Sequence, residues 1–337
     1  MATGKTKPLI VVTGGAGYIG STLCRELLAA GYRVRVLDAL AYGSKPISVL
    51  VNHPDFEFVR GDLRRAGDIE GALDSEVAAV VHLAAIVGDV PCQQNVQEAI
   101  DVNYTGTMLL AEKARKHGIR RFVFSSTCSN YGIADTSSPA DELRPLNPVS
   151  IYAETKIDAE RSLLQLHDAG FAPVLLRFAS AYGVSGRTRF DLSVNSFTYE
   201  AFAKRVLIVY SGDTWRPYVH VSDMARIILS CLSLPLDRIG GQIFNAGSNE
   251  QNYPKHEIVD MIAKAVPDTK VTYLESVKDL RSFRVDFTKL EKALGFRPVY
   301  TVEDGIRELL NAFESGLLTQ EDFEANSLNP ARRNNGA

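Results

Sequence analysis

Cysteine is scarce and never clustered: Cys24, Cys92, Cys128 and Cys231 are the only four among 337 residues. They form no CxxC pair and no compact Cys/His group, which argues against structural zinc and against a disulfide framework. Isolated thiols of this kind fit a reducing compartment. A run of about 18 apolar residues is missing, so no membrane span is expected. The opening MATGKTKPLIVV has no apolar stretch long enough for a secretory signal, and the chain is expected in the cytoplasm. Positive charge is not in excess either. The formal net charge of −3 removes the general electrostatic reason to bind nucleic acid or an anionic membrane. Any phosphate must be met by a local site. No internal repeat or low-complexity block occurs.

What is present is a globular composition, 45% hydrophobic and 23% charged, sufficient for a large core. Residues 9–13, 33–38, 56–61, 77–84 and 121–126 are short β-branched runs that read as strands. Residues 21–30, 96–117 and 153–169 carry apolar side chains at helical spacing, with Gly31, Gly118 and Gly170 as stop signals. This alternation predicts an α/β fold with a doubly wound parallel sheet and helices on both faces. After a further strand at 175–180 the pattern breaks into loops and shorter elements, including the aromatic-rich 215–221, which predicts a smaller second lobe. Residues 219–234 again resemble sheet-domain material, so the two parts should interleave.

The first strand runs into Gly14, Gly17 and Gly20, the last two flanking Tyr18 and Ile19, before a helix opens. Glycines in this strand–turn–helix context allow a tight turn and close backbone approach to a pyrophosphate. The helix N-terminus supplies unpaired N–H donors. Asp38 ends the next strand, where a carboxylate can bond the adenosine ribose hydroxyls and repel a 2′-phosphate. A Rossmann dinucleotide site that prefers NAD follows. Arg33 and Arg35, close in sequence, keep the phosphorylated cofactor open as an alternative. Asp62, before Leu63, has two equal readings: a contact to the adenine edge, or a helix cap.

Tyr152 and Lys156 lie four residues apart at the head of a predicted helix, on one face. A phenol, with a reference pKa of about 10, is a poor base near neutrality unless a neighbouring cation stabilises its anion. Taken alone, such a pair is common on solvated helix faces. The hydroxyl cluster Ser125-Ser126-Thr127 changes that, because it ends a strand at the carboxyl edge of a parallel sheet, where ligands gather. His82 and His220 sit in apolar runs and read as structural. Cys92 has no activating His or Lys beside it in sequence and reads as a packed thiol.

Gly14/Gly17/Gly20, Asp38, Asp62, His82-Leu83-Ala84-Ala85, Asn103, Ser125-Ser126-Thr127 and Tyr152/Lys156 together resemble the extended short-chain dehydrogenases/reductases that act on nucleotide sugars. The likeness spans about residues 8 to 315. It implies Thr127 as catalytic hydroxyl, Tyr152 as acid/base and Lys156 as both ribose ligand and electrostatic partner. Asn103, which reads locally as a helix-surface amide, would support the backbone beneath the active site and the cofactor. Leu63, Leu83, Ala84 and Ala85 would line the cofactor. The diphosphate of the sugar nucleotide would be held by Asn195, Arg216 and Arg281. The loop after the fourth strand is similar to that of a branch including GDP-heptose 4-dehydrogenases and poorly assigned epimerases. It places Val87, Asp89 and Cys92 towards the sugar. Related 4,6-dehydratases carry an Asp-Glu pair where this chain has Cys128 and Ser129, so elimination lacks its acid and base. These two positions would then face substrate.

The resemblance therefore implies an NAD-dependent nucleotide-sugar epimerase, ahead of a 4-dehydrogenase or 4-ketoreductase, and ahead of a dehydratase or a non-catalytic NAD-binding protein. The expected NAD-binding domain is 1–180 with 219–245 returning to it. The expected substrate lobe is 181–218 with 246–326, and 327–337 form a disordered tail. A homodimer through two helices per subunit, 96–117 and 153–167, is likewise implied.

Overall fold

The computed structural model describes residues 7–133, 138–274 and 282–327; the expected disordered tail falls almost wholly outside them. Two compact units emerge: the first comprises residues 1–126, 150–177 and 225–244, the second 127–149, 178–224 and 245–337. These boundaries differ from those expected. Residues 127–149 group with the second unit, and the returning segment begins at Ala225 rather than 219. The cause is β9 (Trp215–His220), which pairs with β7 (Ser180–Tyr182) and β11 (Asn252–Pro254) in a small sheet of the second unit. Only α5 (Val221–Ser233), the helix after β9, leads back, while β8 (Val206–Tyr210) pairs with β12 (Lys270–Leu274) in a separate two-stranded sheet.

The first unit is built on a seven-stranded sheet in the order β3-β2-β1-β4-β5-β6-β10. Its strands are β1 (Leu9–Thr13), β2 (Arg33–Asp38), β3 (Phe56–Arg60), β4 (Val77–His82), β5 (Arg121–Thr127), β6 (Ala172–Phe178) and β10 (Gln242–Ala246). The β3-β2-β1-β4-β5 pairings are parallel. β1 is buried at every position, as a central parallel strand covered on both faces must be. Strand order reverses between β1 and β4, and in such sheets the crevice beyond the strand ends at that point is where ligands settle.

Helix α1 (Tyr18–Ala29) ends as expected at Gly31, whose φ of +85° is the left-handed stop that a Cβ would disfavour. Gly170 plays a different part. The helix expected at 153–169 stops at Gln165, and Gly170 sits in a turn closed by the Asp168 carboxylate on its amide at 2.8 Å. The stretch 96–117 is helical but interrupted: Val96–Ile100 leads through a π-turn at Asp101–Thr105 into α2 (Gly106–Lys116). Such bulges recur at functional sites. β4 is shorter than expected because Leu83 and Ala84 leave the ladder and donate to Thr13, to its carbonyl at 3.1 Å and its hydroxyl at 3.3 Å. The expected strand at 175–180 divides into β6 and β7. All four cysteines are buried free thiols.

In the second unit, α4 (Ser193–Lys204), α6 (Lys255–Ala265) and α7 (Val302–Glu314) surround an aromatic core of Tyr182, Phe190, Tyr199, Phe313 and Phe323. α7 opens with a capping box in which Thr301 and Asp304 satisfy each other's backbone amides. His220, 1% exposed, bonds Glu308 at 2.9 Å and stacks on Tyr300, a packing role. No described helix is long and apolar enough to cross a membrane.

Candidate active site

The carboxyl ends of β1, β2, β4 and β5 bring the predicted cofactor residues of the first unit together. Gly14 has φ of +73°, and a Cβ there would lie 2.7 Å from the Ala84 nitrogen. Gly20 is tighter still, since its Cβ would meet the Gly14 carbonyl at 2.2 Å. Only glycine lets the turn, the helix and the loop after β4 approach this closely. Gly17 caps α1, and the first helical turn, Tyr18 and Ile19 included, carries no acidic side chain. The positive helix end is thus left for an anion. Asp38 accepts from the amides of Ala16 at 2.9 Å and Leu40 at 2.7 Å, so its carboxylate is held at the rim of the glycine turn.

Arg33 and Arg35 do not compete for a phosphate. Arg35 pairs with Glu57 and Asp74 at 2.7 Å each, and Arg33 with Glu57 and Glu76 at 3.0 Å each. With both guanidinium groups committed, the site fits NAD rather than its phosphorylated form. Asp62 is not a helix cap. Its carboxylate bonds the Arg64 amide at 2.9 Å and the Arg64 guanidinium, which holds its carboxyl below the usual range, and the next helix begins only at Ala66. Leu63 is buried against Gly106.

A buried polar chain runs beneath this site. The Thr13 hydroxyl lies 2.7 Å from His82 Nδ1, and His82 Nε2 lies 2.8 Å from the Thr107 hydroxyl. Thr107 donates to the Asn103 carbonyl at 2.7 Å. Thr107 must then accept from Nε2–H, which sets the tautomer and leaves Nδ1 to accept from Thr13. Burial first, then the Lys156 charge, holds the imidazole well below its ordinary pKa, so His82 stays neutral. Asn103 is fully buried, not a surface amide. Its side chain accepts from the Ile86 amide at 2.8 Å and donates to the Ile86 carbonyl at 2.9 Å, clamping the loop that carries Ala84, Ala85 and Val87.

Ser150 caps α3 (Ile151–Gln165) by accepting from the Ala153 amide at 3.4 Å, which places Tyr152 in the first turn, half-buried. Lys156, one turn on, is 2% exposed. Its Nζ donates to the Ser125 carbonyl at 2.8 Å and lies over the Phe124 ring at 4.6 Å. Burial pushes its pKa down to about 8. Sequence reading missed what lies one further turn along: Glu160 accepts from the Ser126 hydroxyl and pairs with Arg177 at 2.7 Å, all three buried. The i, i+4 spacing from Lys156 to Glu160 was the available signal.

In the second unit, Thr127 accepts from the Ser129 amide at 3.1 Å and so caps the short turn Cys128–Tyr131. Its hydroxyl proton remains to be donated. Three of the residues expected at the substrate have protein partners of their own. Cys92 is 0% exposed, with its thiol on the Ile86 carbonyl at 3.3 Å and its pKa pushed up to about 11 by burial; it packs against the loop. Cys128 is 2% exposed and likewise packed. Asn195, fully buried, accepts from the Gly183 amide at 3.0 Å and donates to the Arg189 carbonyl at 2.9 Å. Its amide anchors a loop. Val87, Asp89 and Ser129 are partly exposed. Arg216, also partly exposed, sits over Phe283 at 5.1 Å. Arg281 lies outside the described residues.

Residues 10–247 match the model of the NAD dependent epimerase/dehydratase family. The UDP-glucose 4-epimerase of Mycolicibacterium smegmatis is 32% identical over 324 residues, covering 90% of this chain and 98% of that protein. The structure of a UDP-glucose 4-epimerase from Thermotoga maritima with UDP-glucose superposes with a TM-score of 0.81 at 26% identity, covering 92% of this chain and all of its own. A dTDP-glucose 4,6-dehydratase from Streptomyces venezuelae with NAD bound gives 0.81 at 28% identity, covering 91% and 97%.

Proposed function

Because the chain belongs to the NAD dependent epimerase/dehydratase family, an extended short-chain dehydrogenase/reductase fold with an NAD-dependent activity, we propose that it is a nucleotide-sugar epimerase acting through a 4-keto intermediate. Its catalytic set is Thr127, Tyr152 and Lys156. The observation that carries this reading is the seat of Lys156 on the Ser125 carbonyl at the carboxyl edge of β5, one helical turn from Tyr152.

Bound NAD supplies reversible hydride acceptance and return. The glycine turn with the α1 N-terminus would hold its pyrophosphate, and Asp38 its ribose hydroxyls. Lys156 supplies a buried positive charge that favours the Tyr152 phenolate, and it would also hold the cofactor ribose. Tyr152 takes the proton from the C4 hydroxyl oxygen as the ketone forms and gives it back on reduction. Thr127 donates a hydrogen bond to the same oxygen. Ketone formation erases the stereocentre, so reduction of the other face completes an epimerisation with no net redox. Arg216, Val87, Asp89 and Ser129 are assigned to the sugar nucleotide, with the first unit as cofactor domain and the second as substrate lobe. The exposed surfaces of 96–116 and 151–165 are assigned to a homodimer contact, which light scattering after size exclusion checks directly.

The test is a mass-spectrometric screen of UDP-, GDP-, CDP- and dTDP-sugars with protein purified without added cofactor. Interconversion of one sugar pair, with retained cofactor and no lasting NADH absorbance, is expected. Continuous consumption of added NAD would overturn epimerisation in favour of a 4-dehydrogenase. Tyr152→Phe should lose turnover by about 10²–10⁴-fold with NAD binding retained; unchanged turnover would remove Tyr152 from the mechanism.

A further inference from the structure

We propose that Glu160, bonded to Ser126 and paired with Arg177, is a positioning residue that keeps Lys156 in its ammonium form and in register against β5. This deepens the reading above and rests on it for its functional meaning. Two polar bonds tie α3 to adjacent residues of β5: Lys156 donates to the Ser125 carbonyl at 2.8 Å, and the Ser126 hydroxyl donates to Glu160. They leave the helix four residues apart, from one face. A slide of α3 along the strand would break both at once.

The pair itself is unusual for its depth. The Glu160 and Arg177 side chains are 3% and 4% exposed, and the guanidinium meets the carboxylate through Nε at 3.0 Å and Nη2 at 2.7 Å. A buried ion pair contributes little net stability compared with a packed apolar pair, so a purely structural explanation is weak here. The charge has a use, however, one turn away. Lys156 is driven towards its neutral form by burial, and Cys92 and Glu160 oppose that. The Cys92 thiol, pushed up to about 11, is protonated near neutrality and carries no charge. His82 at the end of β4 is neutral as well. Glu160, one helical turn from Lys156 and paired with Arg177, is then the group whose charge supports the ammonium, and Arg177 moderates it.

The test is a pH titration of Lys156 by NMR in protein labelled with 13Cε-lysine, the signal assigned through Lys156→Arg. Glu160→Gln keeps shape and hydrogen-bonding capacity but removes the charge, and should lower the ionisation midpoint of Lys156 by about tenfold in the ionisation constant. The high-pH limb of turnover should move down with it. Ser126→Ala removes a bond and no charge, and should leave the midpoint within about threefold of wild type. A Glu160→Gln midpoint within that same margin would overturn the proposal. If that variant does not fold, Glu160→Gln with Arg177→Met removes both charges together; a midpoint below wild type supports the proposal, and an unchanged or raised one overturns it. The titration needs no turnover. A Tyr152→Phe enzyme that still turns over would therefore sink the epimerase reading while the Glu160 result stands on its own.

Discussion

Asn103 in the first unit and Asn195 in the second are both fully buried, and each spends its amide on the backbone of a loop. Asn103 grips both polar groups of Ile86, and Asn195 grips the Gly183 amide and the Arg189 carbonyl. The difference lies in reach. Asn195 closes a loop only 12 residues from itself, whereas Asn103 also lies 3.4 Å from the Thr155 hydroxyl, 52 residues away on the helix of Tyr152 and Lys156. Through Thr107 and His82 it continues to Thr13 and the glycine turn. One asparagine secures a local shape, while the other joins the cofactor turn, the loop after β4 and the catalytic helix. A buried amide therefore says little about function until its partners are known.

That contrast can be broken first with Asn103→Leu. It leaves the Ile86 amide unpaired and its carbonyl with the Cys92 thiol alone, at a cost of about 1–3 kcal/mol, and should lower the urea midpoint and turnover together, the latter by about 10²-fold or more in line with the loss of a correctly placed catalytic group. Asn195→Leu should cost a comparable ~2–5 kcal/mol in urea unfolding, yet leave kcat within about tenfold of wild type and act on KM. Equal kcat losses in the two variants would erase the distinction.

A smaller effect tests the polar chain beneath Asn103. His82 is held below its ordinary pKa of about 6.5 by burial, so below that pH the unfolded chain takes up a proton that the folded one refuses. Stability then declines by up to about 1.4 kcal/mol per pH unit from this group, and is restored above pH 6.5. The His82 ring resonances should stay in the neutral position at pH 5.5; a shift to the charged form there would contradict the assigned tautomer. The smallest expected change is Cys92→Ala, about 1–2 kcal/mol in stability from lost packing with unaltered sugar selectivity. A changed substrate profile would return Cys92 to the substrate face.

Much of the first unit was legible because its signals are local. β1 and β2 fall on the expected residues, since a central parallel strand is an unbroken apolar run bounded by turn residues. Gly31 and Gly118 stop helices for a reason confined to their own φ angles. Gly170 misled because the same residue type also serves a turn set by the Asp168 carboxylate. The burial and partners of Cys92, Cys128 and Asn195 were unread for a related reason. Position along the chain puts a residue near a site, but the direction of its side chain depends on neighbours that are far away in sequence. Glu160 went unread because its partners, Ser126 and Arg177, belong to two different strands.

The order of strands and helices, the glycine turn, the acidic end of β2 and the Tyr152/Lys156 spacing are properties of short segments, and the sequence alone determined them. Which arginines remain for a phosphate, which amides face a ligand and what stands behind Lys156 were decided only when the strands came together. Those outcomes depend on desolvation and on hydrogen-bond partners from distant segments, and neither exists before the core has formed.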